Sequence, residues 1–148
     1  PPPPQGLGRR QRQMCIRDRH LPYTHNWYAM AGLHLATRMI LQEGLSAVFS
    51  RHDRVAAYCR SRLQEMGVEL FPVTAEICSP TVTAAKIPEG WTWPGLDKAL
   101  RERGMVVGGS YGPLAGKVFR LGHMGNQARQ ELVEKGMNIL EEVLRRGK

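Results

Sequence analysis

The sequence predicts an α+β fold, a small and mainly antiparallel sheet covered by helices. Three observations support this. Long stretches between Trp27 and Met66 and between Leu132 and Leu144 repeat apolar residues at helical spacing. Residues 81–87 place β-branched side chains at alternate positions, and Phe119-Arg120-Leu121 sets one cation between two large apolar residues, as in a half-covered strand. Finally, at 148 residues and 42% hydrophobic content the chain has room for one ordinary domain and a core.

In chain order, residues 1–20 open with four prolines and continue with Gly, Gln and Arg. Such a composition cannot bury enough apolar surface to fold, so this tail is expected to be disordered. Leu21 to Asn26 is loop chemistry opening a helix, with Thr24 or Asn26 as N-cap. Trp27, Met30, Leu33, Leu35 and Met39-Ile40-Leu41 make that helix strongly apolar, and Gly44 ends it. A second helix follows from Leu45, with Val48, Phe49, Val55, Ala56, Cys59, Leu63 and Met66 in register and Gly67 as its stop. Arg51, Arg54, Arg60 and Arg62 fall on its wetter side. His34 and His52 on these helices read as packing or surface residues, since no further ligand stands at metal spacing.

Val68 to Phe71 reads as a short strand and Thr81 to Ile87 as a second. Trp91 and Trp93 flank a helix start where Pro94 fits the first turn; Leu96, Ala99 and Leu100 give its buried face, and Gly104 ends it. A strand beginning near Met105 feeds the glycines at 108, 109, 112 and 116, and Lys117 to Leu121 leaves them. Asn126 is the expected cap of a last helix bearing Leu132, Val133, Met137, Leu140, Val143 and Leu144. Arg145, Arg146 and Lys148 complement that helix's C-terminal dipole.

Arg120 is the residue with most chemical content. Strand alternation puts Phe119 and Leu121 on one face and Arg120 on the other, where its charge must meet an anion or water. The planar guanidinium suits a carboxylate held by two parallel hydrogen bonds. A plain surface arginine fits the same spacing. The neighbouring glycines lack the Lys-Ser/Thr of a phosphate loop, and neither G-x-S-x-G nor H-E-x-x-H occurs.

The ordered pattern Gly108-Gly109, Gly112-Pro113, Gly116-Lys117-Val118-Phe119-Arg120-Leu121-Gly122-His123-Met124-Gly125-Asn126 resembles the C-terminal domain of class V, pyridoxal-phosphate-dependent aminotransferases. It is most similar to the alanine–glyoxylate, serine–glyoxylate and ureidoglycine–glyoxylate branch. Ile40 to Leu45, Val48 to His52 and Arg62 to Gly67 extend the likeness, which runs from about Leu21 to the C-terminus. The resemblance implies that Arg120 binds the substrate α-carboxylate. It further implies that Tyr23 and Thr24 contact the phosphate of pyridoxal 5′-phosphate held in a neighbouring subunit of a homodimer. Substrates would be a small amino acid and a 2-oxo acid, glyoxylate or pyruvate. The Schiff-base lysine and the acidic partner of the pyridinium nitrogen belong, in that family, to a large N-terminal domain. Lys86, Lys98, Lys117 and Lys135 do not stand in that context, so no catalytic residue is expected in 21–148, and the chain by itself is expected to be inactive. Residues 1–20 share nothing with the family and read as a non-native addition.

The formal charge of +8 invites a nucleic-acid reading. Residues 1–19 carry five arginines and one aspartate, half of that excess, and elsewhere the charges are interspersed. Arginine runs without interleaved aromatics carry little specificity, so neither nucleic acid nor membrane is an expected partner. A basic interaction module and a dimerisation domain remain as rivals. Cys15, Cys59 and Cys78 lack Cys-x-x-Cys spacing, and neither a metal site nor a disulfide framework is expected. A class V cysteine desulfurase or lyase is the enzymic rival, with Cys78 its loop cysteine. No apolar run approaches the roughly 18–20 residues of a membrane span, and a cytoplasmic protein is expected.

Overall fold

A computed structural model describes residues 26–146. The 1–20 tail, Tyr23, Thr24 and Lys148 lie outside the described residues. The chain divides into two units, the first ending at Gly44 and the second beginning at Leu45.

The described part of the first unit is helix α1, Trp27–Glu43. Asn26 is its cap: the side-chain oxygen accepts from the Ala29 N–H at 3.0 Å. Gly44 closes it at φ +86°, its N–H donating to the Ile40 carbonyl. Both boundaries match the expectation. None of the helix residues is buried, although the stretch is the most apolar of the chain.

The second unit holds the α+β architecture. Its elements are α2 (Leu45–Glu65), β1 (Val82–Lys86), α3 (Trp93–Glu102), β2 (Gly108–Gly109), β3 (Val118–Gly122) and α4 (Gln130–Arg146). The sheet order is β1-β3-β2, antiparallel throughout, with β3 in the middle. Phe119 stands opposite Ala85 and Leu121 opposite Thr83, so these four share one face. That face carries the core: Cys59 and Leu63 from α2, Leu96 and Leu100 from α3, Phe119 and Leu121 from β3, Met137 and Leu140 from α4. A fully buried Leu or Phe contributes roughly 1.5–3 kcal/mol, so this small cluster dominates stability.

The glycine stops work as read. After α2 the Gly67 N–H donates to Gln64 and the Val68 N–H to Leu63; after α3, Gly104 donates to Arg101 and Met105 to Leu100. Both glycines have positive φ, +76° each, and both pairs form the two-bond helix stop that such a residue permits.

Three boundaries differ from expectation. Val68 to Phe71 forms only an isolated bridge, Leu70 to Ala85, instead of a strand. The strand expected from Met105 shrinks to Gly108–Gly109. Asn126 does not cap the last helix: residues Gly125–Gln127 form a 3₁₀ turn, and α4 begins at Gln130. Leu132, placed in the apolar stripe, is consequently exposed in the first turn.

Candidate functional site: the arginine of the central strand

Arg120 sits at the centre of β3 on the face away from the core, and it is exposed. Its cross-strand neighbours are Ala84 on β1 and Gly108 on β2. The two flanking positions therefore carry a methyl group and a hydrogen, and the guanidinium lies over Gly108, where an added Cβ would stand 3.5 Å from Nη2. No sequence pattern reveals that row, because it depends on register.

The guanidinium is oriented by backbone. Arg120 Nε and Nη2 both donate to the Gly109 carbonyl, at 2.9 and 2.7 Å. The ring of Tyr111 lies 5.8 Å from the Arg120 Cζ atom. Nε and Nη2 form the lateral edge of the fork, so Gly109 occupies that edge, while the terminal edge of Nη1 and Nη2 keeps N–H donors for an acceptor. Among the described residues no carboxylate pairs with Arg120, whereas Arg62 is held by Glu65 and Glu141, and Arg101 by Asp97. The arrangement can receive a planar anion end-on, and a carboxylate fits that edge.

Gly109 has no freedom to be anything larger. A Cβ there would stand 2.7 Å from Cε2 of Trp93 and 2.9 Å from its Cζ2 and Nε1. Trp93 opens α3, where the Thr92 hydroxyl caps the Gly95 N–H.

Other candidates fall outside this site. His123 is buried on the core side of the strand exit, its Nε2 2.8 Å from the Thr83 hydroxyl, and burial holds its pKa below the ordinary imidazole value. Cys59 is a buried free thiol, as its place on the apolar side of the helix suggested, and burial pushes it up to about 11. Cys78 follows the short 3₁₀ turn Ala75–Ile77, its thiol donating to the Thr74 carbonyl. Among the described residues no group of three His, Cys, Asp or Glu side chains could hold a metal ion. No helix of the described residues is long and apolar enough to cross a membrane.

His52 is a packing residue, as its place on the helix suggests. It is buried, and with Arg51 it grips the turn after β3: the His52 ring accepts from the Gly125 N–H at 3.0 Å, and Arg51 donates to the carbonyls of Gly125 and Ala128. The available signal was helical spacing, since position 52 lies three residues before Val55 on the apolar stripe.

No family model matches the chain. It is 37% identical over 119 residues to the L-aspartate–glyoxylate aminotransferase of Paracoccus denitrificans, covering 75% of this chain and 30% of that protein. To the pyridoxamine–pyruvate transaminase of Mesorhizobium japonicum it is 36% identical over 114 residues, 76% of this chain and 29% of the relative. Among solved structures, the alanine–glyoxylate aminotransferase of Nostoc superposes with a TM-score of 0.79 at 37% identity, over 87% of this chain and 34% of that one. The chain belongs with the class V aminotransferases, as their C-terminal domain. It spans about 30% of the length of the curated relatives it matches. The named relatives are transaminases, and the matched third of the Nostoc structure shares the small antiparallel sheet and helices seen here.

The described residues do not by themselves make a site for pyridoxal phosphate. A Schiff-base lysine needs a desolvated amine, yet Lys86, Lys98, Lys117 and Lys135 are all exposed, and Lys86 pairs with Glu69.

Proposed function

We propose that this chain is the carboxylate-binding domain of an aminotransferase that moves an amino group from a small amino acid to glyoxylate or pyruvate. The observation that carries the reading is the exposed, carboxylate-free terminal edge of Arg120, set by two hydrogen bonds to Gly109 between Ala84 and Gly108. Amino donor and oxo-acid acceptor both carry an α-carboxylate, so one fixed fork serves both halves of the exchange. Arg120 does no bond-breaking in this scheme. It removes rotational freedom from the substrate by donating two parallel N–H groups to one planar group. Pyridoxal phosphate would supply the electron sink; its lysine lies beyond the residues described, and Tyr23 and Thr24 remain proposed contacts to its phosphate across a homodimer.

In a polypeptide that joins this domain to a pyridoxal-phosphate domain, Arg120→Ala is expected to raise KM for both amino and oxo acid by about ten- to a hundredfold, the range of a charge-assisted hydrogen bond. Arg120→Lys keeps the charge and loses the fork, so it recovers only part of that loss. Steady-state kinetics with both substrates decides. An unchanged KM for both removes the assignment.

A further inference from the structure

Arg120 carries the proposed carboxylate contact, yet the atom that aims it belongs to Gly109. Nothing in Gly109 fixes its own carbonyl, because a glycine in a two-residue strand is free to rotate its peptide planes. Something outside the strand has to hold it. The register to Phe119 on β3 restrains one side. The other restraint is the indole of Trp93, seated so close to the Gly109 Cα that a single methyl would overlap three ring atoms, Cε2, Cζ2 and Nε1. Gly108, one residue earlier, is different: a Cβ there would meet the Arg120 Nη2 at 3.5 Å, an ordinary contact. The tight fit is thus confined to the residue whose carbonyl orients the arginine.

Trp93 is itself well anchored. It is the first residue of α3, it packs against the core cluster, and the helix it opens buries Leu96 and Leu100 completely. The indole thus lies close against Gly109 from an anchored helix, and the Gly109 carbonyl takes both lateral donors of the arginine. We propose that Trp93 is a positioning residue for the carboxylate fork: through Gly109 it decides which edge of Arg120 is occupied by protein and which is left for ligand. This rests on the reading of Arg120 as the carboxylate contact. If the indole withdraws, the Gly109 carbonyl is no longer held, the lateral edge becomes available, and the arginine loses its single orientation. Arg120 stays exposed and charged in either state, so the expected change is in geometry and ligand affinity, with charge unaltered.

The test swaps size between the two partners in the full 148-residue chain. Two quantities are read by NMR: hydrogen exchange of the Arg120 Nε–H, which reports its bond to Gly109, and the Kd for pyruvate as carboxylate probe. Gly109→Ala drives a methyl into the indole and is expected to speed Nε–H exchange and weaken pyruvate binding, each by about tenfold, the scale of one lost charged hydrogen bond. Trp93→Phe, which keeps a ring in the core but removes the crowding atoms, is expected to speed exchange by more than about threefold. The double variant refills that space with the alanine methyl and returns both quantities to within about threefold of wild type, a coupling that independent structural damage does not produce. Exchange that stays at the wild-type rate in Trp93→Phe, or a folded double variant no better than Gly109→Ala, overturns the proposal. Should Gly109→Ala fail to fold, the Trp93→Phe exchange rate decides by itself. Changed exchange in a chain that binds no pyruvate even as wild type supports the role of Trp93, and the carboxylate reading is then decided by the Arg120→Ala kinetics in the joined polypeptide.

Discussion

Two residues three positions apart show how the pleat sorts chemistry. Arg120 points away from the core and keeps a free donor edge; His123, just past the same strand, turns inward against Thr83 and is almost wholly buried. The sign of the His123 effect follows from its environment. Burial disfavours the imidazolium, so the folded pKa lies below the unfolded value of about 6.5. Between those two values the unfolded chain binds more protons, and stability falls as the pH drops. Urea midpoints measured from neutral pH downward are therefore expected to decline in the wild type, and His123→Asn is expected to flatten that decline. A parallel decline in both proteins would show that other groups control acid sensitivity. Alternation of Phe119, Arg120 and Leu121 made the outward position of the arginine legible from sequence. Its partner was not legible, because a carbonyl eleven residues away is brought there by strand register, and every residue type has a carbonyl.

Among the elements, the turn between β3 and α4 depends on α2. The His52 Nδ1 lies 2.7 Å from the Val48 carbonyl, which can only accept, so Nδ1 carries the proton; the Gly125 N–H can only donate, so Nε2 is bare. Arg51 takes the carbonyl of the same glycine, whose φ of +58° is one that residues with a β-carbon rarely adopt. Both polar groups of Gly125 are thus held by consecutive side chains from a distant helix. His52→Ala is expected to cost about 1–3 kcal/mol, from two lost hydrogen bonds and a vacated buried volume, and Arg51→Ala about 1 kcal/mol, in urea unfolding. An unchanged midpoint in His52→Ala would mean that water replaces the ring without loss. This contact also explains a misread boundary. Asn126 has the composition of a helix cap, but the grip on Gly125 winds residues 125–127 into a 3₁₀ turn and delays α4 to Gln130. Local cap chemistry was legible where local bonds decide, at Asn26, Gly67 and Gly104, and failed where a tertiary contact overrides it.

At the scale of the whole molecule, the residues that form the core all follow the boundary at Gly44. Among the described residues every buried apolar side chain, from Val55 to Leu144, lies in the second unit, and no residue of α1 is buried. Hydrophobic content alone would have assigned α1 to the core, since Trp27, Leu33, Leu35 and Leu41 are as apolar as anything in α2 or α4. Periodicity reports which residues could share a face; it does not report what covers that face. The distribution makes a definite statement about stability. Because burial near 25 cal/mol per Å² is the main favourable contribution, a chain cut to residues 45–148, which keeps the whole core cluster, is expected to fold and to unfold in one urea transition. Exposed Trp27, Tyr28, Leu33 and Leu41 are removed in the same cut, so the shorter chain is also expected to self-associate less in sedimentation at equal concentration. A large fall in midpoint on truncation would show that residues before Leu45 add to the core. An unchanged sedimentation profile would show that the apolar surface of α1 drives no association. Pyruvate affinity measured on the same two chains then tests whether everything that aims Arg120 — the strand register, the Gly109 carbonyl and the Trp93 indole — resides in 45–148, as the geometry requires.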